Sequence, residues 1–113
     1  MAIGILFESN EPIGNYDKIM DALEKTGTHF DGLLFHIAGE TRNGFRVVDV
    51  WESEAAFNEF SKTLMPILKR MNNSAKPQMF EVHNTMVGDL SKTRLPTRAV
   101  AGQQTSASAP SPH

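Results

Sequence analysis

The chain has 113 residues, a formal charge of −2, no cysteine and a single tryptophan. That length suits one domain, the near balance of acids and bases leaves no basic stripe for nucleic acid, and the lack of cysteine removes disulfides, thiolate metal sites and a cysteine nucleophile. No apolar run approaches the ~18 residues of a membrane span, and the opening residues Met1 to Glu8 lack the basic start of a secretory signal, so a soluble cytoplasmic protein is expected.

Residues 2–8 are apolar and rich in β-formers, and are expected as a buried strand. Tyr16, Ile19, Met20 and Leu23 then recur at helical spacing, with Pro12 suited to the first turn and Gly27 to the end. Residues 32–38 and 45–52 are the second and third strands, and the turn chemistry between Gly39 and Gly44, with its Asn43-Gly44 pair, predicts a hairpin. Ser53 offers an N-cap to a second helix whose stripe is Phe57, Phe60, Leu64, Ile67, Leu68 and Met71. Pro66 lacks an N–H and clashes with the preceding turn, so the helix is expected to stop near Met65 and restart at Pro66. Residues 78–87 complete the set as a last strand. The order βαββαβ is the ferredoxin-like α+β arrangement, a four-stranded antiparallel sheet with two helices on one face.

Composition changes after Val87. Residues 88–113 contain no aromatic side chain and end in Ser, Ala, Pro, Gln and Gly, which cannot bury enough apolar surface to offset the entropy of ordering. Two regions are therefore expected, a domain over 1–87 and a disordered tail over 88–113. The tail holds one acid, Asp89, against Lys92, Arg94 and Arg98, so the domain carries the negative charge of the chain.

Side chains alternate across a strand. Assigning the more apolar alternate set of each strand to the helix-covered face places Ile3, Ile5, Phe7, Leu33, Phe35, Ile37, Val48, Val50, Phe80 and Val82 there. The open face would then carry Leu6, Leu34, His36, Val47, Asp49, Trp51, Glu81 and His83. Exposed Leu6, Leu34, Val47 and Trp51 would form an apolar patch of the kind that marks an interface. Two copies packing sheet to sheet around a cavity, as a C2 homodimer, would cover it.

The run Val47-Val48-Asp49-Val50-Trp51-Glu52-Ser53, followed by Ala56-Phe57 and Leu64-Met65-Pro66, resembles the third strand, strand-to-helix junction and second helix of the dimeric α/β-barrel superfamily, which includes the antibiotic-biosynthesis-monooxygenase-like proteins. Ile3 to Glu8, Leu34 to Gly39 and Val82-His83-Asn84 are similar to a small uncharacterised bacterial branch of it. The resemblance implies a ferredoxin-like homodimer and oxygenation without a bound cofactor. The haem-degrading branch of that superfamily has an Asn on strand one and a haem-ligating His on helix two; here strand one offers Phe7 and Glu8, and residues 64–73 hold no His.

On the predicted faces His36 and Asp49 sit on adjacent strands, and a carboxylate beside an imidazole fixes its tautomer and orients it as a general base. They are the candidate catalytic pair, with His83 as a second proton-transfer group. Trp51 offers a flat wall and one N–H donor to an aromatic ligand, with Glu81, Leu6, Leu34 and Val47 as further lining residues. The same pair could equally be a buried polar contact that satisfies itself. His36 and His83 with Asp49 or Glu81 would also make a two-His-one-carboxylate metal set, but no local spacing signature supports it and no metal is assigned. Two functions stay open: an enzyme taking a proton from a small aromatic or polyketide-like substrate, in the manner of a cofactor-independent monooxygenase or an isomerase, and a non-catalytic or stress-associated small-ligand-binding dimer.

Overall fold

A computed structural model describes residues 1–98 of the chain as β1 (Ile3–Ser9), α1 (Ile13–Thr26), β2 (Leu33–Thr41), β3 (Gly44–Trp51), α2 (Glu54–Arg70) and β4 (Gln78–Glu81). The strands form one antiparallel sheet in the order β2-β3-β1-β4, which is the ferredoxin-like arrangement. Among the described residues no helix is long and apolar enough to cross a membrane.

The helices end where their sequences dictate. α1 follows Pro12 and closes at Gly27, whose left-handed φ of 75° costs glycine nothing. At the start of α2 the Ser53 hydroxyl accepts from the Ala56 N–H at 3.1 Å. The expected break at Pro66 does not occur, and α2 runs unbroken from Glu54 to Arg70. Pro66 lies on the exposed side of the helix, while Leu64, Ile67 and Leu68 are buried on the other. Packing on both sides of the proline thus holds the helix through the missing hydrogen bond.

The last strand is shorter than predicted. β1 begins at Ile3, so β4 runs out of partner at Glu81, and the Val82 N–H makes a final bond to the Ala2 carbonyl at 3.1 Å. His83 and the residues after it fall outside the sheet.

The assignment of side chains to faces needs a larger correction. Direct antiparallel partners point the same way, and Ile3 pairs with Trp51, Ile5 with Asp49 and Phe7 with Val47. The β1 assignment stands, but β3 is inverted: Phe45, Val47, Asp49 and Trp51 face the helices and are buried. β2 carries a bulge between Leu33 and Phe35, so Leu33 pairs with Trp51 and His36 with Asp49, and both face the helices. In β4 the pairing of Phe80 with Gly4 puts Phe80 on the open face, where its ring lies against the glycine. The open face therefore carries Leu6, Phe35, Ile37, Val48, Val50 and Phe80. Sorting by apolarity failed because both faces are apolar and the covered one holds a self-paired polar group.

The core is Ile3, Ile5 and Phe7 of β1, Phe45, Val47 and Trp51 of β3, Ile19 and Leu23 of α1, and the Phe57 to Leu68 stripe of α2. β4 contributes no buried residue. Residues 88–98 form neither helix nor strand, and Arg98 reaches back to α1, bonding Asp21 at 2.5 Å and Glu24 at 3.0 Å. Residues 99–113 of the expected tail lie outside the described residues.

Among the described residues, a chain ended after Gly88 loses only exposed ion pairs and local turn bonds, which contribute little in water. Its melting temperature should stay within about 4–8 °C of the full chain, the shift for ~1 kcal/mol in a domain of this size. Ile67→Ala, which empties a fully covered site on α2, should cost about 2–5 kcal/mol; urea unfolding of the three proteins checks both figures.

Candidate active site

Asp49 projects from β3 into the space between the sheet and the helices, and is 4% exposed. A carboxylate so placed must be hydrogen-bonded. Its Oδ1 lies 2.6 Å from Nδ1 of His36, directly across on β2. Its Oδ2 accepts the Trp51 Nε1–H at 3.1 Å from two residues further along the same strand face. Trp51 is fully buried and its ring packs on Phe57 and Phe60 of α2, so that donor has no freedom to leave.

On the far side of the imidazole, His36 Nε2 lies 2.7 Å from the Tyr16 hydroxyl of α1. Burial, with the negative charge of Asp49 second, pushes the Tyr16 phenol up to about 12, against a smaller opposing pull from Arg98. Tyr16 is therefore a proton donor at neutral pH. His36 then donates Nδ1–H to Asp49 and accepts the phenol proton at Nε2, which is the tautomer a general base requires. The result is a continuous chain Tyr16–His36–Asp49–Trp51 that joins both helices to the two neighbouring strands. The His36 side chain keeps about a quarter of its surface exposed, so the chain has a wet end and a dry end.

An apolar cavity of about 60 Å3 lies against this chain. Phe7, Leu23, Phe30 and Phe60 supply much of its wall, and Tyr16, His36 and Asp49 supply its polar edge. This cavity lies within the single chain, between sheet and helices, on the covered face of the sheet and not on the open face where His36 and Asp49 were expected.

Of the residues singled out in the sequence, the structure brings together His36, Asp49 and Trp51, with Val47 lining the cavity beside them. Trp51 serves as a donor behind the carboxylate and does not line the cavity. Leu6 lies on the open face and Leu34, at the bulge, is exposed. Glu81 and His83 are exposed at and beyond β4, on the opposite edge of the sheet from β2, about 14 Å away at the usual strand spacing. No metal set of His36, His83 and a carboxylate is assembled, and the described residues contain no other cluster of three or more such ligands. Tyr16 was missed as a site residue: its place in the α1 stripe marked it as core, and only its phenol, unlike the neighbouring Ile19 and Met20, signalled that it needed a polar partner inside.

No family model matches the sequence, and no curated protein matches it. By structure the chain is similar to SnoaB, a cofactor-independent oxygenase from Streptomyces nogalater, with TM-score 0.54 and 13% identity over 75% of this chain and 94% of that one. It is similar to a protein of Deinococcus radiodurans provisionally named an antibiotic biosynthesis monooxygenase, with TM-score 0.52 and 16% identity over 79% and 99% of the two chains. A protein of Chloroflexus aurantiacus with the same provisional name gives 0.54 and 11% identity over 78% and 100%. At these identities the likeness is one of fold alone.

Tyr16 is the only tyrosine in the chain, so phenolate absorbance near 295 nm reads it alone. Titration of the folded protein should give a midpoint near 12, and a midpoint near 10 would contradict the buried bond. Because the folded value is raised, the stability it represents is present below pH 10 and is lost as pH rises toward 12. Tyr16→Phe should therefore unfold in urea with a shallower loss of stability across that window than the unmodified chain.

Proposed function

We propose, from a fold shared with the antibiotic-biosynthesis-monooxygenase-like proteins, that this chain is a small-molecule enzyme that oxygenates an aromatic or polyketide-like carbon acid without a bound cofactor. The observation that carries the proposal is the Tyr16–His36–Asp49 chain at the polar edge of an otherwise apolar cavity. His36 is the base and Asp49 holds its tautomer and stabilises the imidazolium that forms. Tyr16 occupies Nε2 in the resting protein, so it either yields that nitrogen to the substrate or passes the proton on, taking the substrate's proton as it gives its own to His36.

The chemistry balances with dioxygen as the co-reactant. A ring methylene loses a proton to the base, and the carbanion so formed reduces O2 and bonds to it. The protonated peroxide then loses water, leaving a carbonyl on the substrate, so that one oxygen atom is incorporated and the other leaves as water. Apolar walls favour the dissolved gas and exclude the water that would quench the carbanion.

A binding protein without turnover is the second reading. It is favoured by the closure of the polar chain on itself: each of its side-chain partners is satisfied within the protein, which a purely structural network would also achieve.

The partner proposed for the open sheet face is a second copy of the chain. Phe35, Ile37 and Phe80 are each about half exposed there, beside Val48, Val50 and Leu6. A contiguous apolar patch on so small a domain is costly in water and is relieved by self-association.

Oxygen uptake with anthrones, phenols and enolisable ketones tests the enzyme. Asp49→Asn should preserve the fold and ligand affinity while slowing turnover by about 10- to 10⁴-fold, since the amide disfavours the required tautomer. Uptake unaffected by this change and by His36→Gln would remove the base, and tight binding with no uptake from any substrate would favour the binding reading. Sedimentation should give a dimer at micromolar concentration, with Ile37→Asp a folded monomer; a monomeric parent chain would refute the partner.

A further inference from the structure

The cavity beside His36 is too small for the ligand proposed for it. A cavity of roughly 150 Å3 is needed to hold a benzene ring, and this one measures about 60 Å3. Some wall must move, and the walls are not equally held. Most are core side chains of helices and strands packed on one another. One is the irregular segment 72–77 between α2 and β4, which presents Asn73 and Ala75 to the cavity.

Those two residues and Phe45 also line a second, larger depression of about 820 Å3 on the outside of the protein, at the β2–β3 turn end of the sheet. Cleft and cavity thus share one partition. Its outer anchorage is a single side chain used twice: the Asn73 amide donates to Glu11 Oε1 at 2.9 Å and its oxygen accepts the Ala75 N–H at 2.8 Å. Asn72 beside it turns through a left-handed φ of 54°, a conformation that asparagine tolerates better than most residues.

The cleft also has a sign. Glu8 is engaged by Arg46 and Glu11 by Asn73. Arg42, from the β2–β3 turn, and Lys76, from the segment between α2 and β4, have no ion-pair or hydrogen-bond partner among the described residues. Two free cations face a space whose carboxylates are already occupied.

We propose that this cleft is the mouth and outer half of the ligand site, and that it selects a ligand with a flat apolar body and an anionic group. The body passes the Asn73 partition into the cavity, and the anion stays outside against Arg42 and Lys76. The placement of the body beside His36 rests on the proton-abstraction proposal; the selectivity of the mouth does not. Exposed ion pairs are individually weak, so two of them should give about a tenfold preference for the anion.

The matched probes are 1-hydroxy-2-naphthoate and its methyl ester, bound to the full chain and followed by calorimetry. The acid should bind about tenfold more tightly than the ester in low salt, and that preference should shrink in 0.5 M salt. Arg42→Gln combined with Lys76→Gln should abolish it and leave the affinity for the ester unchanged. Asn73→Ala should speed association of both probes, read by quenching of Trp51, without altering their affinity ratio; Glu11→Ala, which removes the same latch from the other side, should do likewise and stands in if the first variant misfolds. Equal affinity for acid and ester, a preference that survives the double substitution, unchanged association rates in both latch variants, or no binding of either probe would each overturn the proposal. Oxygen uptake with the same acid separates the two ideas. An acid preference without uptake keeps the mouth and removes the enzyme, and uptake with equal affinities does the reverse.

Discussion

A carboxylate buried beneath two helices has to be hydrogen-bonded on both oxygens, and the way Asp49 meets that demand organises the rest of the molecule. Leaving such a charge with a missing partner costs about 3–5 kcal/mol, a large share of the stability of a small domain. One oxygen takes His36 and so pins the register of β2 against β3, bulge included. The other takes Trp51 and so sets the ring on which Phe57 and Phe60 of α2 pack. Through His36 the demand reaches Tyr16, which ties α1 to the same point. Both layers of the fold meet at one polar chain.

That chain also sets where polar groups meet the cavity. It stands on the covered face of the sheet, within one chain, at the polar edge of the apolar cavity. Self-association through the open face would therefore leave the cavity intact, because the two features use opposite sides of the sheet. The burial that raises the Tyr16 phenol keeps it a donor, and a donor at Nε2 selects the imidazole tautomer that Asp49 then holds from the other side.

Much of this was legible in the residues. The two helical stripes, the Ser53 cap, the glycine end of α1 and the hairpin all depend on local spacing and backbone preference, and they stand where they were expected. Pro66 was misjudged because the cost of a lost helical bond is local while the burial of Ile67 and Leu68 that outweighs it is not. The last strand was overextended because its end is set by the start of β1, almost eighty residues away along the chain.

His36 and Asp49 were paired correctly from strand adjacency but on the wrong face. Alternation in sequence divides a strand into two sets without saying which set is inside. That choice rests on pairing between strands: Ile3 opposite Trp51, and the one-residue bulge at Leu34 that turns Leu33 and His36 to the same side. Tyr16 joins His36 only because α1 packs over β3, next to β2, and His83 parts from it only because β4 lies at the far edge of the sheet. Which elements form, and which residues must be paired if buried, follow from local periodicity and the cost of desolvation, and both can be read from the residues alone. The face, the third partner and the closing of the cavity depend on contacts between segments whose separation along the chain carries no signal of their meeting.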